Sequence, residues 1–169
     1  IPDLPIFLDS PMAIEASEIF CNHPDDHRLA PDECRAACSV ATYTRSVEES
    51  KALDQNAVPK VISSASGMAT GGRVLHHLKR FAPDRRNTIL FSGFQAGGTR
   101  GRAMLEGADA VKIHGGQVAV KAEIASLPML SAHADADEVM AWLRNFAEAP
   151  RLTFITHGEP AAADALRLR

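Results

Sequence analysis

Residues 60–106 read KVISSASGMATGGRVLHHLKRFAPDRRNTILFSGFQAGGTRGRAMLE, and this stretch decides the fold class. Lys60 to Ser63 is a short β-branched run that enters a glycine-rich turn, Ser66 to Gly72. Arg73 to Phe81 then places Val74, Leu75, Leu78 and Phe81 at helical spacing. The unit repeats: Thr88 to Phe91 is a strand, Gly93 to Thr99 a second glycine-rich turn, and a short helix runs to about Glu106. Strand, glycine loop and helix, twice over, predict a mainly parallel sheet flanked by helices. Ligands of such sheets lie at the carboxyl ends of the strands, beside both glycine loops.

Towards the N-terminus, Ile6-Phe7-Leu8 reads as a buried strand closed by Asp9, with Ser10 and Pro11 as cap and first residue of a helix to about Cys21. Asp32 can cap a second helix, and Ser46 with Glu49 forms a capping box before a third. Towards the C-terminus, Ala110 to Ile113 is a strand, and Gln117 to Ile124 alternates like a half-buried antiparallel one. Asp135 or Asp137 caps a helix whose Val139, Trp142, Leu143 and Phe146 are expected to face inward, and Leu152 to Thr156 is the last expected strand.

The chain has 169 residues, 46% of them apolar and 23% charged, a balance that excludes disorder, collagen and coiled coil. No apolar run is long enough to span a bilayer, and the first residues lack a signal-peptide pattern, so a cytoplasmic chain without membrane contact is expected. Three cysteines, Cys21, Cys34 and Cys38, are an odd number and too few for a disulfide framework, which predicts reduced thiols. Net charge is −3, yet residues 1–50 hold ten acids against three arginines, while residues 71–102 hold seven basic side chains against Asp84 alone. The basic, glycine-studded segment is where an anion would bind, because amides approach closely there and arginine pairs two-pronged with phosphate. A solvated helix face is the simpler reading of Lys79, Arg80, Arg85 and Arg86.

Asp9, His133 and His157 share one placement, just past a short apolar run and just before a helix, so strand tips could gather them at one edge. Capping is the plain alternative for Asp9 and Asp135, and less natural for the histidines. Neither glycine loop carries the lysine of a P-loop or the full dinucleotide fingerprint, and no serine sits in a nucleophile elbow. Cys21, His23, His27, Cys34 and Cys38 invite a metal, with Cys34 and Cys38 one helical turn apart. No second compact cysteine pair accompanies them, and small buried hydrophobes are the simpler reading.

Taken in order, these segments resemble the β-CASP branch of the metallo-β-lactamase superfamily, nucleases of RNA processing and DNA repair. Phe7 to Ala13 is similar to motif A, Leu130 to Asp135 to motif B and Thr156 to Pro160 to motif C; the segments Ser64 to Gly72 and Gly93 to Arg102 match as well. The resemblance implies that His157 is a zinc ligand, and that His133 contacts the scissile phosphate as general acid or transition-state stabiliser. It further implies that Asp9 hydrogen-bonds His133 and fixes its tautomer, and that Ser131 helps hold the phosphate. A carboxylate partner favours the protonated imidazole needed to donate to a leaving oxygen. Gly67, Arg73, Arg100 and Arg102 are the expected lining of a single-stranded RNA channel.

One departure matters. The superfamily's His-x-His-x-Asp-His run is absent, and His157 alone cannot hold zinc, which takes at least three protein ligands. The expectation is therefore a β-CASP domain over residues 1–118 followed by part of a returning lactamase-like segment over 119–169. The expected whole is a zinc-dependent RNA hydrolase with two zinc ions, whose missing lactamase-like half is the chain's partner; alone, the chain should neither hold the ions nor cleave RNA. A non-enzymatic α/β module binding nucleotide, RNA or protein through the glycine loops is the alternative, and a family member lacking its ligands a third.

Overall fold

A computed structural model describes residues 4–127, 129 and 133–169. The first half is built on a three-stranded parallel sheet: β1 (Ile6–Leu8) lies between β2 (Thr42–Tyr43) and β3 (Val61–Ser63). Between β1 and β2 run α1 (Pro11–Asn22) and α2 (Pro31–Ser39), and α3 (Val47–Gln55) joins β2 to β3. The starts of these helices follow from local chemistry. Ser10 Oγ accepts the Ala13 N–H ahead of Pro11. Ser46 and Glu49 form the expected reciprocal box, with the Glu49 carboxylate also accepting the Arg45 N–H at 2.7 Å. The expected cap of α2 moves upstream from Asp32 to Ala30, because Pro31 takes the first helical position and the Glu33 carboxylate reaches back to the Ala30 N–H.

The second half carries α4 (Val74–Phe81), β4 (Thr88–Phe91), α5 (Arg100–Leu105), β5 (Ala110–Ile113), β6 (Gly116–Ala119) and β7 (Glu123–Ser126). β4 pairs with β7 in parallel, whereas β5 and β6 form an antiparallel hairpin. The two glycine-loop units thus feed separate ladders, β3 in one and β4 in another. The expected strand over residues 117–124 is two strands. Val120 N–H still reaches Asp109, then the Lys121 and Ala122 N–H groups both bond the Ala82 carbonyl beyond α4, and the chain crosses to β4. A core of Leu75, Leu78, Phe91, Met104, Val111 and Ile113 fills the space between these elements.

Two expectations fail in the last segment. Leu152 to Thr156 makes no strand ladder, and α6 (Ala136–Leu143) and α7 (Pro160–Arg167) bury no residue. Trp142 and Phe146, expected inside, are 65% and 51% exposed and stack edge to face. Both readings need a neighbouring layer, and no described element supplies one. The thiols also differ from expectation: Cys21 at the end of α1 and Cys38 in the last turn of α2 face each other, 6.8 Å apart at Cα, and are disulfide-bonded. Among the described residues no helix is long and apolar enough to cross a membrane.

Candidate functional site

Asp9 follows β1 directly and is fully buried. A buried carboxylate is costly unless each oxygen finds donors, and the surrounding elements provide them. From α3, Ser50 Oγ donates to Oδ2 at 2.5 Å. From the start of α4, Arg73 donates to Oδ1 at 2.6 Å. One helical turn further, His77 Nε2 lies 2.7 Å from Oδ2, while its Nδ1 lies 2.7 Å from the Asp54 carboxylate on α3. Carboxylates accept and do not donate, so this bridge is complete when both ring nitrogens carry hydrogen. Burial alone would push the Asp9 carboxyl up, but the bonds from Ser50, Arg73 and His77, with the charge of His77, outweigh it and hold Asp9 below its ordinary 3.8.

Arg73 does more than balance charge: it also donates to the carbonyls of Thr44 (2.9 Å) and Arg45 (3.1 Å), just past β2. The Asp9 N–H bonds the Ser63 carbonyl and the Asp9 carbonyl accepts Ser64 Oγ, both at 2.8 Å. Motif A is therefore a buried knot joining the ends of all three strands of the first sheet to α3 and α4. The resemblance expected an imidazole on Asp9 at His133; His77 supplies an imidazole bonded to its carboxylate. His133 lies exposed in the segment before α6, and Ser131 falls outside the described residues.

The glycine loops are tied to each other. In the first, Ser66 Oγ accepts the N–H groups of Thr70 (3.0 Å) and Gly71 (3.2 Å). Gly72, at φ +77°, turns so close that a Cβ there would meet the Ala65 carbonyl at 2.6 Å. From the second loop, buried Gln95 donates its amide to the carbonyls of Gly67, Gly93 and Phe94. Arg100 donates to Ala69 and Thr70 of the first loop and to Lys112 of β5. Arg73 and Arg100, expected to line a channel, both donate to protein acceptors: a buried carboxylate and a set of loop carbonyls. Arg102 pairs with Glu106 at the surface, and Gly67 is exposed.

Motif C meets the second loop. The Gly97 N–H donates to the Glu159 carboxylate at 3.1 Å, so the loop amide already holds an anionic group of the same chain. His157, two residues earlier, is exposed in a left-handed turn at φ +72°, followed by Gly158 at +111°. Among the described residues the one group of three or more metal-binding side chains within mutual reach is Cys21, Cys34 and Cys38. His157 belongs to no such group among the described residues, so a zinc ion there would need ligands from outside this chain's described residues. Sequence reasoning passed over His77, Ser50, Asp54 and Gln95. A signal existed for three of them: His77 shares the inward face of α4 with Val74 and Phe81, and Ser50 and Asp54 stand one turn apart on α3.

Two family models match the chain: the Beta-Casp domain over residues 1–104, and the zinc-dependent metallo-hydrolase RNA specificity domain over residues 117–169. The chain is 35% identical to Ribonuclease TTHA0252 of Thermus thermophilus, over 94% of its own length and 37% of that protein's. It is 30% identical to the transcription termination factor FttA of Methanosarcina mazei, over 96% of its length and 27% of the relative's, and 30% identical to FttA of Pyrococcus abyssi, over 94% and 26%. It spans about a quarter to two fifths of these relatives. With motif A at the head of the first match and motif C inside the second, the chain belongs to the β-CASP family of the metallo-β-lactamase superfamily.

Proposed function

We propose that the chain is the β-CASP portion, with part of the returning lactamase-like segment, of a zinc-dependent hydrolase that cleaves phosphodiester bonds in single-stranded RNA. In this reading the β-CASP portion covers residues 1–118. The observation that carries it is the bond between Gly97 and Glu159, which supports a surface where motif C and the second glycine loop act together. His157 serves as one zinc ligand, and the remaining ligands of two ions come from the lactamase-like half. Zinc in such a site supplies Lewis acidity and a nucleophilic hydroxide. Ser131 and His133 hold the scissile phosphate, with His133 donating its proton to the leaving oxygen. Gly67 and Arg102 contact the RNA backbone, while Asp9, Arg73 and His77 act through the fold as positioning residues.

The test uses short single-stranded RNA and the 169-residue chain. Zinc added to the pure chain yields no cleavage, whereas RNA binds weakly and more weakly as salt rises. Metal-dependent cleavage by the pure chain would overturn the division of the site between two halves. Binding of mononucleotides but not RNA would favour a nucleotide-binding module instead.

A further inference from the structure

We propose that Cys21, Cys34 and Cys38 form a thiolate site for a single zinc ion, opened by two-electron reduction of the Cys21–Cys38 disulfide and closed when that disulfide re-forms. The site uses no residue of the three motifs. Its geometry begins in the helices. Cys21 sits in the last turn of α1, and Cys34 and Cys38 are one turn apart on α2, so the helix pair brings all three sulfurs within 4.8 Å of one another. A disulfide needs two cysteines; the third, Cys34, is a free thiol 3% exposed, held in the same place without a bond of its own. Tetrahedral zinc with bonds of about 2.3 Å separates its sulfurs by roughly 3.8 Å. Small rotations of three cysteine side chains reach that spacing once the disulfide is reduced.

The surroundings fit an open site. Cys21 and Cys38 are half-buried, and an open cavity of about 480 Å³ lies against the three cysteines, bounded by Pro24, Pro31 and Arg35. Three thiolates on Zn²⁺ leave one negative charge, and Arg35, which lines the cavity and is ion-paired with Asp32, is the cation beside it. Thiolates select a borderline-soft ion over magnesium or calcium.

The chemistry balances with a low-molecular-weight thiol as reductant. Two such thiols reduce the Cys21–Cys38 disulfide and leave as their own disulfide; Cys21, Cys34 and Cys38 then lose three protons in total and bind Zn²⁺. In reverse, a disulfide oxidant takes two electrons from Cys21 and Cys38, zinc departs, and Cys34 regains its proton.

The experiment titrates Co²⁺ and Zn²⁺ into the 169-residue chain, fully reduced under anaerobic conditions and, separately, oxidised. The reduced chain should bind one Co²⁺ with the near-ultraviolet charge-transfer absorption of thiolate ligation, and Zn²⁺ should displace it. The oxidised chain should show none, a control that needs no substitution. Oxidised glutathione should release zinc to a chromophoric indicator and restore a Cys21–Cys38 peptide. Cys34→Ala, with folding checked by circular dichroism, should abolish the absorption and weaken zinc by more than the roughly 10- to 100-fold that loss of an outer-shell partner costs. Should that variant fail to fold, Cys21→Ser at the half-buried position serves the same purpose. His133→Ala combined with His157→Ala should leave the absorption intact. Absent thiolate absorption in the folded, reduced chain, or binding unchanged in Cys34→Ala, would overturn the proposal.

Discussion

Asp9 shows how one buried charge organises a region. Replacing it by asparagine keeps the shape but leaves Arg73 and His77 beside a neutral amide, and breaking a buried pair on one side costs about 3–5 kcal/mol. Asp9→Asn should therefore lower the urea midpoint of the chain by the equivalent of that loss near neutral pH. The pH dependence fixes the cause. Because the folded carboxyl lies below its ordinary 3.8, its stabilisation is fully present above that value and lost as pH falls through the depressed one. The gap between wild type and Asp9→Asn should therefore narrow steadily below pH 3.8 in a series of urea titrations. A gap constant down to full acid unfolding would show that the carboxylate's charge is not what the neighbours hold.

At the scale of elements, the contact between α5 and the second glycine loop is the tightest constraint. A Cβ on Gly101 would fall 1.7 Å from Gln95 Oε1 and 3.1 Å from the Phe91 ring, so Gly101→Ala must displace the Gln95 side chain and with it one bond to the first loop, at Gly67, and two within the second, at Gly93 and Phe94. A loss of about 1–3 kcal/mol is expected from such overpacking. Gln95→Ala makes room, so the double variant should be less destabilised than the two single losses added, a coupling that denaturation of the four proteins would measure. The C-terminus of α3 offers a second test. Lys60 Nζ donates to the carbonyls of Leu53 and Asn56, so Lys60→Met, which keeps the aliphatic stem, should cost about 0.5–1.5 kcal/mol of stability in the same assay. These elements also mark what the sequence discloses. Ile6 to Leu8, Thr88 to Phe91 and the Ser46–Glu49 box were legible because the run or cap that makes them is local. The partner of Asp9 was not, since adjacent His76 and His77 differ only in which side of α4 they occupy. Nor was the Cys21–Cys38 bond, which depends on how α1 packs on α2.

Across the whole molecule, stability is unevenly spread. Leu75, Leu78, Met104, Val111 and Ile113 give the middle of the chain a closed core, whereas nothing in α6 or α7 is buried and Phe154 is 78% exposed. Helices of eight residues are not stable on propensity alone; they need an apolar face covered by a neighbour. The same absence explains why Leu152 to Thr156 reads as a strand yet forms no ladder: its β-branched and aromatic residues specify a sheet position that only another chain segment can complete. Residues 133–169 should accordingly open without unfolding the rest. In native-state hydrogen exchange, amides of α4 and of the β5–β6 hairpin should be protected by the full unfolding free energy, about 5 kcal/mol or more, while those of α6 and α7 exchange at close to zero opening cost. Equal protection throughout would mean that α6 and α7 share the core's cooperativity, and the division of labour drawn from their exposed faces would fail with it.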